Sequence, residues 1–165
     1  MSNCCCCCNG KQIPPDQFIE IPFEDIFYAI HMRTWYKGEN VKRKDMDADL
    51  TQTSRDDNEE LSMFATTAAN RVAAIIYTKI PNVNLIITPE EIYYTFADVI
   101  KRNTKPMIRK AIFDYIVNWC LYMWYHTTYP ELAQSYLDMM QIYEDELKKT
   151  SNMLQKIIRR RYVLY

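Results

Sequence analysis

Glycine is scarce in this sequence, which has only Gly10 and Gly38 among its 165 residues. β-Sandwiches and nucleotide-binding α/β folds need more glycine turns than that, so the shortage favours a helical domain. An excess of charge of one sign is also lacking, because 20 basic and 21 acidic residues give a net charge of −1. An electrostatic partner must therefore meet a local patch rather than the whole surface.

Targeting and cross-linking signals are missing as well. The opening stretch MSNCCCCCNGKQIPP has neither the basic nor the aliphatic region of a secretory signal. The most apolar stretch, AIFDYIVNWCLYMWYHTTY, is interrupted by Asp114 and Asn118, which favours a buried helix over a membrane span. Five of the six cysteines are consecutive and cannot build a disulfide framework. We therefore expect a reducing, intracellular setting.

The sequence also lacks a recognisable catalytic motif. His31 and His126 are far apart in the sequence and have no supporting ligands spaced around them, so we expect each to face solvent or to be satisfied within the protein. There is no phosphate-binding glycine loop, and no serine sits in a glycine-flanked nucleophile turn. We expect no catalytic, cofactor-binding or metal-binding residue, and hence no enzyme.

The apolar periodicity predicts an all-α domain of four to five helices with a long last helix. Helices are expected at about Phe23–Trp35, from Asp57 or Asn58 to Pro81, from Thr88 to about Ile100, from Thr104 to about Thr127, and from Pro130 to about Ile157. Gly38 is expected to end the first of these, and TPEE resembles a capping box that starts the third. The fourth is apolar on most sides and is expected to be central.

The last helix carries the strongest pattern. Its apolar seam is Ala133, Tyr136, Met140, Tyr143, Leu147, Thr150, Leu154 and Ile157, with Thr150 as the one polar member. At 1.5 Å per residue this helix would be roughly 42 Å long, which exceeds what the domain's own core needs. Part of it is therefore expected to project or to pack against another subunit.

The chain divides into three parts: an irregular Cys-rich arm at 1–20, a helical domain at 21–157 with a charged loop at 37–57, and a tail at 158–165. The run Cys4 to Cys8 has three interpretations. It is an unstructured or partner-ordered arm, a set of metal-binding thiolates, or a site of acylation. We favour the first, because adjacent residues alternate in direction and cannot all face one ion. Folding should not require this arm, since apolar periodicity begins after it.

Positive charge is concentrated near the end of the sequence. Residues 148–165 contain no acidic residue and six basic ones: Lys148, Lys149, Lys156, Arg159, Arg160 and Arg161. Arginine and tyrosine are typical interface anchors. We predict that Arg159, Arg160, Arg161, Tyr162, Val163, Leu164 and Tyr165 form a short extended docking tail. Such a tail suits an acid-rimmed groove on a neighbour, or strand addition to its sheet. The other basic stretch, KRNTKPMIRK at 101–110, is expected to be a solvated turn rather than a phosphate contact.

The order of these elements resembles a known family. An alanine-containing helix precedes an aromatic central helix, and YPELAQSY leads into a long seamed helix with an arginine-rich end. Over about residues 59–161, including IFDYIVNWCLYMWYHTTYPELAQSYLDMMQIYEDEL, this is similar to the head-tail adaptor proteins of tailed bacteriophages, especially the portal-bound tail accessory factor of short-tailed phages. The resemblance implies a non-enzymatic virion protein that forms a ring, expected to be twelve-fold, beneath the portal.

That resemblance also implies partners and a location. The partners would be the portal protein, neighbouring copies and other neck or tail proteins, with DNA met only as it passes through the ring lumen. The protein would occupy the virion neck or tail vertex, and the host cytoplasm during assembly. Two alternatives stay open: a small helical nucleic-acid-binding regulator, and a peripheral membrane protein anchored through acylated Cys4 to Cys8.

Overall fold

The computed structural model describes residues 17–42, 52–97, 100 and 104–162, with backbone alone at 38–42, 128 and 154–162. In chain order the elements are β1 (Phe18–Pro22), α1 (Phe23–Lys42), a 3-10 turn (Arg55–Asp57), α2 (Asn58–Tyr77), β2 (Asn84–Ile87), β3 (Glu91–Thr95), α3 (Lys105–Thr128) and α4 (Pro130–Tyr162). The protein is mostly helical, with four helices and a long last one, as predicted.

Helix α3 lies at the centre of the domain. It begins after Thr104, with Pro106 in its first turn, and it packs against α1, α2, α4 and β1. Its fully buried side chains are Ile112, Tyr115, Ile116, Val117, Cys120, Leu121 and Tyr125. A helix that is apolar nearly all round must be covered on every side, so the prediction that this helix is central is confirmed.

The covering helices present narrower apolar faces to α3. On α2 the small residues Ala65, Ala68 and Ala69 are fully buried, and they allow neighbouring elements to approach closely. On α1 the buried residues include Ile26 and Ile30. The predicted helix end at Gly38 is wrong, because α1 continues to Lys42. One interior glycine costs about 1 kcal/mol, which the rest of a 20-residue helix can offset.

Two predicted segment boundaries change with these elements. The irregular arm, predicted to reach residue 20, overlaps β1, which begins at Phe18. The first residues of the charged loop predicted at 37–57 belong to α1, and its last residues form the 3-10 turn. Residues 1–16, 43–51, 98–99, 101–103 and 163–165 lie outside the described residues. The predictions for Cys4 to Cys8, for most of the loop and for Val163, Leu164 and Tyr165 therefore stay predictions.

The helix predicted from Thr88 to Ile100 is wrong, because a β-hairpin occupies this part of the chain. The capping hydrogen bond itself is present, since the Glu91 N–H donates to Thr88 Oγ1 at 3.0 Å. However, the Thr88 N–H also donates to the Glu91 carbonyl at 2.9 Å, which closes a turn between β2 and β3. The residues that follow are β-branched or aromatic, which favours a strand. The same local bonds therefore serve a turn rather than a helix start.

The three strands form a small antiparallel sheet in the order β1-β3-β2. Ile19 and Ile21 of β1 are fully buried, as alternation along a strand requires. On the central strand β3, Ile92 and Tyr94 are fully buried on the same face, and Tyr93 is buried on the other. The Tyr94 hydroxyl donates to the Ala69 carbonyl at 3.0 Å, which ties the middle strand to α2. The sheet thus covers part of the core.

Helix α4 follows its predicted seam as far as Thr150, and the side chains of Leu154 and Ile157 lie outside the described residues. Ala133, Met140, Leu147 and Thr150 are buried, and the Thr150 hydroxyl donates to the Glu146 carbonyl at 2.7 Å. The predicted end at Ile157 is corrected to Tyr162. Its 33 residues make α4 about 50 Å long, roughly 13 Å longer than the 24-residue α3 beside it.

Carboxylates crowd the other face of the sheet. Glu91 lies on β3 near Glu20 of β1, and the Tyr93 hydroxyl donates to the Glu91 carboxylate. Burial raises the pKa of Glu91 above its ordinary value of 4.5, and the nearby charges of Glu20 and Glu90 raise it further. At neutral pH this pair of strands therefore carries an unfavourable charge interaction.

Replacing Ile116 by Ala should lower the free energy of unfolding by about 2–4 kcal/mol, because it leaves a cavity in the core. Ile116 is fully buried, whereas Ile142 on α4 is 60% exposed and provides a matched control. Ile142→Ala should change stability by no more than about 0.5 kcal/mol. Chemical denaturation measures both, and equal losses would contradict the described core.

Replacing Glu91 by Gln should stabilise the protein at pH 7. Because the pKa of Glu91 is raised on folding, the folded state holds this proton more tightly than the unfolded chain. The free energy of unfolding therefore falls as pH rises through 4.5 toward the raised value. The substitution removes that fall, so the gain should disappear near pH 4. Thermal melts across this range check the sign, and a loss of stability at pH 7 would refute it.

Candidate docking surface

Helix α1 has two apolar faces, and only one of them packs into the core. The outer face carries Tyr28, Met32, Trp35 and Tyr36, which are 67%, 36%, 50% and 59% exposed. Their spacing of four, three and one residues places them together on the side opposite Ile26 and Ile30. We call these four residues the α1 stripe.

The composition of the α1 stripe is unusual for solvent-exposed surface. Single exposed apolar side chains are ordinary, but a contiguous set marks an interaction site. Trp35 and Tyr36 also contact each other edge to face, with ring centroids 5.3 Å apart. Tryptophan and tyrosine are the residue types that contribute most at the centres of protein interfaces. The α1 stripe therefore has the character of an interface that the described part of the chain leaves uncovered.

His31 fastens the segment before α2 to the side of α1. Its Nδ1 lies 2.7 Å from Thr53 Oγ1 and its Nε2 lies 3.0 Å from Asn58 Oδ1. Both contacts are satisfied when Nε2 donates to the Asn58 oxygen and Nδ1 accepts from the Thr53 hydroxyl. Thr34 Oγ1 is 2.9 Å from Thr53 Oγ1 and adds a third link. His31 is thus satisfied within the protein, as expected, and serves as a clamp.

This clamp brings negative charge to the border of the α1 stripe. The exposed carboxylates in the first turn of α1 and in the segment that His31 binds, which we call the acidic rim, are Glu24, Asp25, Asp56, Glu59 and Glu60. Arg55 is an exposed cation among them. Acidic residues also suit the N-terminal turns of α1 and α2 for reasons of helix polarity. Asp25 is partly neutralised by Arg109, whose Nη2 lies 3.2 Å from its carboxylate. The surface as a whole combines an aromatic centre with a mainly acidic border.

A polar contact on the inner side fixes how α1 is rotated. Arg33 Nη1 donates to Asn118 Oδ1 at 3.4 Å, and Arg33 Nη2 lies 4.0 Å from the Asp114 carboxylate. Lys110 Nζ is 2.5 Å from the other Asp114 oxygen, and the Asn118 amide donates to the Asp114 carbonyl at 2.6 Å. Asp114 and Asn118 are the residues that interrupt the apolar stretch of α3. They hold Arg33 toward the core and so leave the α1 stripe facing outward.

Other chemically notable groups in the structure do not form a site. Cys120 is fully buried, and burial raises the pKa of its thiol, so it presents no thiolate to solvent. Among the described residues, no group of three or more His, Cys, Asp or Glu side chains is placed to hold a metal ion. In the same part of the chain, no helix is long and apolar enough to cross a membrane.

The predicted tail residues are only partly described. Arg159, Arg160, Arg161 and Tyr162 lie in α4, so at these positions the chain is helical rather than extended. Sequence analysis missed the α1 stripe entirely. The signal was present, because positions 28, 32, 35 and 36 share one helical face opposite the apolar positions 26 and 30.

Comparison with known proteins gives no match: no protein-family model, no curated protein and no solved structure is similar to this chain. The class of protein must therefore be argued from its surfaces.

Replacing His31 by Ala should release the segment that includes Thr53 and Asn58. The loss of two hydrogen bonds should cost about 1–2 kcal/mol of stability, since the partners left behind can reach water. Amide hydrogen exchange should rise at residues 52–58. His126, which is exposed and packs beside Tyr122 with ring centroids 5.6 Å apart, is the control. If His126→Ala and His31→Ala behave alike, His31 is not a clamp.

Proposed function

We propose that this protein is a non-catalytic structural subunit that works by docking. In its specific form the proposal is a head-tail adaptor of a tailed phage, which forms a ring that binds the portal and links the capsid vertex to the tail. The observation that carries the proposal is the second apolar face of α1. An aromatic face that a folded domain leaves uncovered serves a partner rather than the domain's own stability.

Two further features support an assembly role. Helix α4 is about 13 Å longer than α3, so it offers surface beyond what the domain's core needs. The α1 stripe is fixed on a rigid element by Arg33 on its inner side and His31 at its flank. Rigid presentation lowers the entropy lost on binding, which matters when one contact is repeated around a ring.

The two alternative functions fit this surface less well. A nucleic-acid-binding regulator would present positive charge beside its exposed aromatic residues, whereas the border of the α1 stripe is mainly acidic. A peripheral membrane protein would need a surface that tolerates anionic headgroups, and the same carboxylates oppose that. The interpretations of Cys4 to Cys8 stay predictions, because these residues lie outside the described ones.

The proposal is tested by mixing the protein with the portal protein encoded in the same genome and measuring particle mass by light scattering. We expect a complex many times the 19.7 kDa mass of one chain. The double variant Trp35→Ala/Tyr36→Ala should bind at least tenfold more weakly, because it removes two interface anchors.

The matched control is Met63→Ala/Tyr77→Ala on α2. These side chains are 67% and 60% exposed, so the control removes exposed apolar area elsewhere on the surface. It should assemble like the parent protein. Components that stay separate at micromolar concentration would refute the adaptor proposal.

A further inference from the structure

We infer that the α1 stripe of one copy binds the basic segment of a neighbouring copy, where the basic segment means residues 148–165. This inference rests on the proposed assembly function and names the partner of its docking surface. It commits to one occupant, a second copy of this chain. The contact is heterologous, because two different surfaces meet.

Charge complementarity is the first argument. The basic segment carries six basic residues and no acidic one, while the acidic rim has five exposed carboxylates. Lys148 is paired with Glu144 at 2.7 Å within its own chain, and Asp25 is paired with Arg109, so five cations and four carboxylates remain for the partner. Arginine forms paired hydrogen bonds with carboxylates, which adds orientation as well as attraction. Exposed ion pairs contribute little to affinity individually, but several of one sign on each surface select the partner and its direction.

The aromatic centre provides the second argument. Tyr28, Trp35 and Tyr36 are all at least half exposed, so their rings are open to a cation. Arginine and lysine side chains bind such rings, and arginine can also stack on them through its flat guanidinium. The chain already uses this contact internally, since the Arg71 guanidinium lies 4.4 Å from the centre of the Trp119 ring.

The third argument is the surface of α4 where the basic segment begins. Lys149 and Met153 are exposed, Met153 by 50%, and they lie four residues apart on one side of the helix. An exposed methionine beside cationic side chains can pack against the aromatic rings of the α1 stripe and against Met32, which lies between those rings. Among the residues that the structure describes, nothing covers Met153 or the α1 stripe, so both surfaces are available to neighbours.

A symmetric contact between two α1 stripes is less favourable. It would bring one acidic rim against another, and like charges across an interface oppose association. A contact between two basic segments fails for the same reason. Joining the α1 stripe to the basic segment removes both repulsions. Because each copy then has one surface of each kind, the contact can repeat from copy to copy and close into a ring.

The experiment uses a fluorescently labelled synthetic peptide with the sequence of residues 148–165. It is titrated onto the full chain carrying Arg159→Glu/Arg160→Glu/Arg161→Glu, so that the protein's own segment does not compete. We expect saturable binding that weakens as salt rises. Adding Trp35→Ala/Tyr36→Ala to the protein should weaken binding at least tenfold, whereas adding Met63→Ala/Tyr77→Ala should leave it unchanged.

Three outcomes would overturn the inference: no binding of the peptide, equal binding by the Trp35/Tyr36 variant, or equal binding of a peptide with the same composition in scrambled order. Binding of duplex DNA by the wild-type chain, lost on the arginine substitutions and without any binding of the peptide, would assign the basic segment to nucleic acid and would also overturn it. The portal mixture decides the proposed function separately. If the protein joins its portal but does not bind the peptide, the proposed function is supported and this inference is wrong.

Discussion

The structure depends on covering one helix on all sides. Helix α3 has apolar residues around nearly its whole circumference, and burying them is the main favourable contribution that this domain gains from folding. Helices α1, α2 and α4 and the small sheet each supply one face to that task. The outer faces of these elements are left free by this arrangement, and their chemistry decides what the protein can bind.

Polar residues give this apolar core its orientation. A hydrophobic contact alone allows a helix to rotate or slide with little change in buried area. Asp114 and Asn118 remove that freedom for α1, because Arg33 reaches both of them. The Tyr94 hydroxyl similarly fixes the sheet against the backbone of α2. These few directional contacts hold the α1 stripe and the sheet in one arrangement.

The sequence predicts the helices whose apolar periodicity extends over many residues. Helices α2, α3 and α4 show sustained helical periodicity with clear starting residues, so their type and order are confirmed. The hairpin was missed because Thr88 and Glu91 make the same hydrogen bond in a capping box and in this turn. Only the pairing of β3 with β1, some 70 residues earlier, decides between them, and local sequence does not contain that information.

The candidate site was hidden for a related reason. Tyr28 and Trp35 are large apolar residues like those of the core, so periodicity shows two apolar faces on α1 but does not show which of them is left exposed. The choice is made by Arg33 and by His31, whose partners Asn118 and Asn58 are distant in sequence. The predicted docking tail shows the opposite case. Its composition predicts binding, which stays a prediction, but nothing local showed that α4 continues through the three arginines.

A helix that has required residues on two sides tolerates few substitutions. In α1, Ile26 and Ile30 serve the core, Tyr28 and Trp35 lie in the α1 stripe, and the polar residues between them act as clamps. Few positions are left where a substitution would go unnoticed by selection. The exposed side of α2 carries fewer such demands, so sequence drift should concentrate there. In divergent homologues of this protein, α1 would be the segment with the most recognisable sequence similarity.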